Sequence, residues 1–126
     1  MATSSPLKIL AVEDNPDTQT LLRYMLQAHF SLSFCSSVDD ALALADAERF
    51  DLFLLDINLG EQRTGMDLLH LLRRRPAYAR TPAIALTAYA MPGDRDRFLN
   101  GGFNGYISKP INASFTRSRS LTSSSM

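Results

Sequence analysis

Three acids, a hydroxyl and an amine stand where apolar runs of this chain stop. "LKILAV" (Leu7 to Val12) runs into Glu13-Asp14, and "FDLFLLD" ends on Asp56. "TPAIALTA" closes on Thr87-Ala88, and "GYIS" leads into Lys109. An ionised carboxylate is expensive to hold at the edge of a dry core. Asp56 therefore either starts a turn or is the group its strand exists to present. If the runs before Glu13-Asp14 and Asp56 are neighbouring strands, three carboxylates converge. Two unit charges about 5 Å apart repel by roughly 3 kcal/mol at an effective dielectric near 20. A hard divalent cation resolves that conflict, and carboxylates with a backbone carbonyl suit magnesium. The carbonyl of Asn58, just past Asp56, is a further candidate ligand. A hydroxyl from Thr87 and an ammonium from Lys109 on the same rim make a pocket for a phosphoryl group.

The elements that must carry these residues are legible in outline. The four runs above read as buried strands, and "SLSFCS" (Ser31 to Ser36) alternates as an edge strand does. Helical spacing lies between them. Leu21, Leu22, Met25 and Leu26 share one stripe, with Asn15 as N-cap, Pro16 at the first position and Asp17 at the positive end of the dipole. Val38, Ala41, Leu42 and Ala45 form a second stripe, and Leu68, Leu69, Leu71 and Leu72 a third. "MPGDRDRFLNGG" is a weaker helix that Gly101 and Gly102 stop. Strands alternating with helices predict an α/β, doubly wound five-stranded parallel sheet with helices on both faces. Ligand sites in such sheets lie beyond the carboxyl ends of the strands, where the winding reverses.

The bulk numbers suit one domain with one core: 126 residues, 45% hydrophobic and 21% charged. Lys+Arg and Asp+Glu both count 13. That balance argues against direct nucleic-acid binding, which needs a basic surplus. A single cysteine, Cys35, forms no intrachain disulfide and reads as a small buried hydrophobe. The N-terminus has no basic leader pattern, and no apolar run approaches the roughly 18 residues a bilayer span needs. The expectation is a cytoplasmic protein without a membrane segment. His29 and His70 read as surface residues, and Arg73 to Arg75 as a solvated helix end that favours the dipole.

Taken together, Glu13-Asp14 in "AVEDN", Asp56 in "LLDINL", Gly65 before the third helix, Thr87-Ala88 in "ALTAYA", and Tyr106 with Lys109-Pro110 in "GYISKPI" resemble the receiver domain of two-component response regulators, of the chemotaxis-regulator-like kind. The resemblance runs from about Leu7 to Ile111. It implies a flavodoxin-like sheet in the order 2-1-3-4-5. It implies that Asp56 accepts a phosphoryl group from a phosphohistidine on a sensor histidine kinase or a histidine phosphotransfer domain. Asp14, Asp56 and the Asn58 carbonyl would hold Mg2+ directly, and Glu13 partly through water. Lys109 would pair with the phosphoryl oxygens. Thr87 would bond one of them after transfer, and Tyr106 would swing inward behind it. That movement would change the face made by the fourth helix and fifth strand, for a downstream protein or an output region outside this chain. The side chains of Asn58 and Tyr89, with the small Ala88 beside Thr87, would tune access of water to the phosphoryl group. A bulky Tyr89 implies a moderately long-lived adduct. The chain would be a self-phosphorylating switch that also loses its phosphoryl group, not a turnover enzyme.

The sequence departs from the family at its end. Ile111 and Phe115 begin a last amphipathic helix that "TRSRSLTSSSM" does not continue. The expected division is an extension over residues 1–6, a receiver domain over 7–117 and a Ser-rich flexible tail over 118–126. A short or frayed last helix would leave part of one sheet face bare and could promote a homodimer. Two other functions compete. A degenerate receiver could serve only as a docking scaffold, although Asp14, Asp56, Thr87 and Lys109 are all present. A magnesium-dependent phosphatase of the haloacid dehalogenase-like kind would want an acid two residues past the nucleophile, where this chain has Asn58.

Overall fold

Residues 6–88 and 93–109 are described by the structure, a computed structural model. In chain order they form β1 (Leu7–Val12), α1 (Pro16–Leu26), β2 (Phe30–Cys35), α2 (Val38–Ala47), β3 (Leu52–Asp56), α3 (Gly65–Arg73), a 3-10 turn (Pro76–Tyr78), β4 (Ala83–Thr87), α4 (Asp94–Asn100) and β5 (Gly105–Ser108). The five strands make one sheet in the order β2-β1-β3-β4-β5, with every neighbouring pair parallel. This is the doubly wound topology that the alternation of elements predicts. The chain leaves β1 outward to β2, then crosses back to β3. The winding reverses between β1 and β3, so a crevice opens beyond their carboxyl ends.

Burial on both faces explains why the central strands read as unbroken apolar runs. Leu10, Val12, Phe53 and Leu55 lie in one core cluster with Val38 and Ala41 of α2 and Leu68, Leu69 and Leu72 of α3. Ile9, Ala11, Leu54 and Leu86 belong to a second cluster with Leu22 of α1. Phe98 of α4 and Phe103 join the first cluster, their rings edge-on at 6.3 Å. β2 stands at the sheet edge, with five of its six positions only half-buried.

Helix starts follow from local chemistry. Asn15 Oδ1 accepts the amide protons of Asp17 and Thr18, at 2.8 and 3.3 Å, before Pro16 opens α1. Ser37 caps α2, and Thr64 with Asp67 forms a reciprocal capping box on α3. α4 has no side-chain cap. It follows Gly93, whose φ of 95° lies in the left-handed region, and it ends at Gly101.

The arginine run contradicts the solvated-end expectation. Arg74 is exposed, but its neighbours are clamps. Arg73 Nη1 donates to the carbonyls of Tyr78 (2.9 Å) and Thr81, and Nη2 donates to Gly102 (2.9 Å). Arg75 pairs with Asp46 at 2.6 and 2.9 Å and donates to the Leu71 carbonyl at 3.0 Å. A guanidinium has five donors in a rigid fork, so one side chain can satisfy several orphan carbonyls at a helix end. Tyr78 anchors the same region. Its buried hydroxyl lies 2.8 Å from the carbonyls of both Ala45 and Glu48, and accepts from the Phe50 N–H. No described helix is long and apolar enough to cross a membrane. The expected last helix and Ser-rich tail, with Pro110, Ile111 and Phe115, lie outside the described residues, as do residues 1–5.

Candidate functional site

Backbone rungs deliver the site. Parallel pairing sets Val12 beside Leu55, so the residues that follow, Glu13 and Asp56, emerge level with each other. The Glu13 N–H donates to the Cys35 carbonyl at 3.0 Å, one rung past the end of β1. The Ile57 N–H does the same to Leu86 at 2.9 Å, and the Lys109 N–H to Thr87 at 2.8 Å. Glu13-Asp14, Asp56, Thr87-Ala88 and Lys109 thereby line one cleft of about 280 Å³ at the carboxyl edge of the sheet.

The convergence predicted from strand ends is present. One carboxylate oxygen each from Glu13, Asp14 and Asp56 lies within 4.8 Å of the others. Glu13 is fully buried, Asp56 and Thr87 nearly so, and Asp14 is exposed. Lys109 Nζ sits between two of the acids, 2.8 Å from Glu13 Oε1 and 2.9 Å from Asp56 Oδ2. Burial raises the pKa of Glu13, and the nearby Asp56 charge adds to this; Lys109 and the Asn15 N–H oppose it. Burial pulls the Lys109 pKa down, but its bonds to Glu13 and Asp56 outweigh that and leave it raised. The amine is a firmly held ammonium.

The loop after Asp56 is built to leave room. Asp56 Oδ1 accepts the Asn58 N–H at 3.2 Å, and Asn58 Oδ1 accepts the Gly60 N–H at 3.1 Å. The Asn58 side chain thus folds back onto its own loop. Gly60 has φ 71°, and a Cβ there would stand 3.2 Å from Asp14 Oδ2. Gly65, the first residue of α3, passes so close that a Cβ would fall 2.2 Å from the Asp56 carbonyl oxygen. The donor set fits a hard divalent cation. Three carboxylates face one ammonium, and Glu13 Oε1, though ion-paired with Lys109, is buried without a well-aligned hydrogen bond.

Tyr106 lies on β5 opposite Ala85, about one-third exposed (36%), with its ring 6.0 Å from that of Phe98. Its side chain is outward, next to α4. Ala88 is exposed on the cleft wall, whereas Tyr89 lies outside the described residues. His29 and His70 are both exposed and do not line the cleft. Gly60 and Gln19 escaped the reading of the sequence. Gly60 was signalled by "NLG" just past the acid. Gln19, which donates Nε2 to the Glu13 carbonyl at 2.5 Å, stands one helical turn beyond the acid pair.

Comparison with known proteins agrees with this geometry. Residues 9–119 match the family model of the response regulator receiver domain. The polar-differentiation response regulator DivK of Brucella anthropi is 37% identical over 107 residues, covering 84% of this chain and 86% of DivK. The signal transduction histidine-protein kinase BarA of Escherichia coli K12 is 33% identical over 106 residues, and this chain spans only 11% of its length. Among solved structures, the chemotaxis response regulator CheY4 of Vibrio cholerae superposes with a TM-score of 0.82 at 26% identity, covering 93% of this chain and 98% of that one. The receiver domain of the sensor histidine kinase PA1611 from Pseudomonas aeruginosa, with magnesium coordinated in its active-site cleft, has a TM-score of 0.76 at 32% identity, covering 90% and 93%. A match that spans nearly the whole chain, on a sheet of this order, makes the chain a member of the response regulator receiver domain family of two-component systems.

Proposed function

We propose that this receiver takes a phosphoryl group from a phosphohistidine onto Asp56. The phosphorus–nitrogen bond breaks, a phosphorus–oxygen bond to Asp56 forms, and the imidazole leaves with the electron pair. The donor is a sensor histidine kinase or a histidine phosphotransfer domain. The observation that supports this most is the ammonium of Lys109, 2.9 Å from Asp56 at the floor of an open acidic cleft. The amine holds one Asp56 oxygen and can pass to phosphoryl oxygens as they arrive.

Asp14, Asp56 and the Asn58 carbonyl would hold Mg2+, with Glu13 contributing in part through water. When bound, Mg2+ offsets charge on the transferring group and aligns it. Thr87, at the end of β4, bonds a phosphoryl oxygen after transfer, and Tyr106 turns inward behind it. The outward Tyr106 beside Phe98 is one state of that switch, and the change alters the α4–β5 face that a downstream protein reads.

Incubation with acetyl phosphate and magnesium chloride, followed by intact mass, tests the reading. One phosphoryl adduct is expected in the parent and none in Asp56→Asn. An adduct that persists in Asp56→Asn moves the acceptor elsewhere. No adduct in the parent removes the phosphoacceptor role.

A further inference from the structure

We infer that Gln19 is a positioning residue for the metal site and acts through the backbone on Asp14. The inference rests on the proposed Mg2+ site and goes beyond its ligands. Asp14 is exposed, and among the described residues no hydrogen bond reaches its carboxylate. What the fold fixes of it is therefore the direction of its α–β bond, which the backbone sets. The two peptide planes that flank its α-carbon are each pinned by one side chain. Gln19 Nε2 donates to the Glu13 carbonyl at 2.5 Å, holding the plane before Asp14. Glu13 Oε2 accepts the Asn15 N–H at 2.9 Å, holding the plane after it. With both planes fixed, φ and ψ of Asp14 are fixed, and so is the direction of its α–β bond.

The geometry gives Gln19 a firm base. Its own N–H closes the first turn of α1 onto the Asn15 carbonyl at 3.0 Å. Its side chain, half-buried, reaches back past that turn to a carbonyl beyond the end of β1. Among the described residues no backbone N–H donates to this carbonyl, although the Glu13 N–H itself makes the last β1–β2 rung. One amide thus joins helix to strand at the residue before the exposed ligand. Across the cleft, Gly60 leaves space beside Asp14 Oδ2 and offers it no bond.

Gln19→Met keeps length and removes the donor. Isothermal titration of magnesium chloride into the parent, Gln19→Met and the exposed control Thr20→Ala reads the effect directly. A roughly five-fold weaker affinity is expected in Gln19→Met, the size of one neutral hydrogen bond, with no change in Thr20→Ala. Thermal midpoints without metal separate the alternatives. A purely structural Gln19 lowers the midpoint and leaves the affinity alone, which overturns the inference. Should Gln19→Met not fold, the parent's side-chain amide signals decide. Gln19 Nε2 protons that are protected from exchange and shift on addition of magnesium chloride support the inference, and freely exchanging or magnesium-insensitive ones overturn it. A parent that binds no magnesium fails the proposed site itself, a result distinct from equal binding by parent and variant.

Discussion

Cys35 illustrates how one residue's surroundings set its chemistry. It ends β2, half-buried, and its carbonyl accepts the Glu13 N–H that starts the acidic turn. Burial pushes its thiol up to about 11 from 9.0, with the Asp40 charge adding to the shift. A thiol whose folded pKa is raised contributes stability that is fully present below pH 9.0. That contribution fades as pH rises through about 11, because the unfolded chain releases its proton first. At pH 8 the native thiolate fraction falls about two orders of magnitude below that of a free cysteine, and higher intrinsic nucleophilicity returns about one. Iodoacetamide at pH 8 is therefore expected to label the native protein at least about ten-fold more slowly than the urea-unfolded chain. Matching rates would show that the thiol is not held this way. The same residue-scale reasoning separates Asp14 from Glu13. One acid is exposed and aimed by its backbone, and the other is buried and held by Lys109 and an amide.

At the scale of elements, Arg73 ties together parts that share no ladder. It reaches from the end of α3 to the 3-10 turn, to Thr81 ahead of β4, and to Gly102 after α4. Burial lowers its pKa, because loss of water disfavours the charged guanidinium. Arg73→Met should cost about 1–3 kcal/mol by urea unfolding, the worth of losing charged hydrogen bonds to half-buried carbonyls. Arg74→Met, on the exposed neighbour, should stay within about 0.5 kcal/mol of the parent. Equal midpoints for the two variants would return Arg73 to the solvated role its sequence suggests. The contrast shows what a sequence carries. Strands buried on both faces announce themselves as apolar runs, and the cap at Asn15 acts within three residues. The acids, Thr87 and Lys109 were legible because each ends a strand and the topology brings strand ends together. Arg73, Tyr78 and Gln19 bond to carbonyls or amides of other elements. Any residue type can supply a backbone carbonyl, so no residue pattern marks such partners. Gly60 and Gly65 were half-legible. Their types suggest turns, but only the distances to Asp14 and Asp56 say what they make room for.

For the whole molecule, the cleft is a standing conflict between folding and function. Lys+Arg and Asp+Glu balance over the chain, yet the site gathers three acids around one amine. The sheet holds them there because its core residues leave the strand ends nowhere else to go. Burial raises proton affinity at Glu13, and the charge of Asp56 adds to it. Asp14 is the acid whose removal isolates the conflict, since Lys109 pairs with Glu13 and Asp56 and not with Asp14. Asp14→Asn should therefore relieve repulsion without orphaning a buried charge. Without metal it is expected to unfold later than the parent by roughly 0.5–1 kcal/mol, a modest figure because Asp14 is exposed and screened. The gain should shrink between low salt and 0.5 M potassium chloride as the Debye length contracts. Magnesium should reverse the order. A ligand at free concentration L that binds only the folded state stabilises it by RT ln(1 + L/Kd), so millimolar magnesium raises the parent's midpoint more than that of Asp14→Asn. Thermal melts of both proteins, with magnesium chloride and with chelator, check this. If Asp14→Asn melts below the parent in chelator, the acids do not repel as argued. If magnesium raises both midpoints equally, Asp14 does not hold the ion.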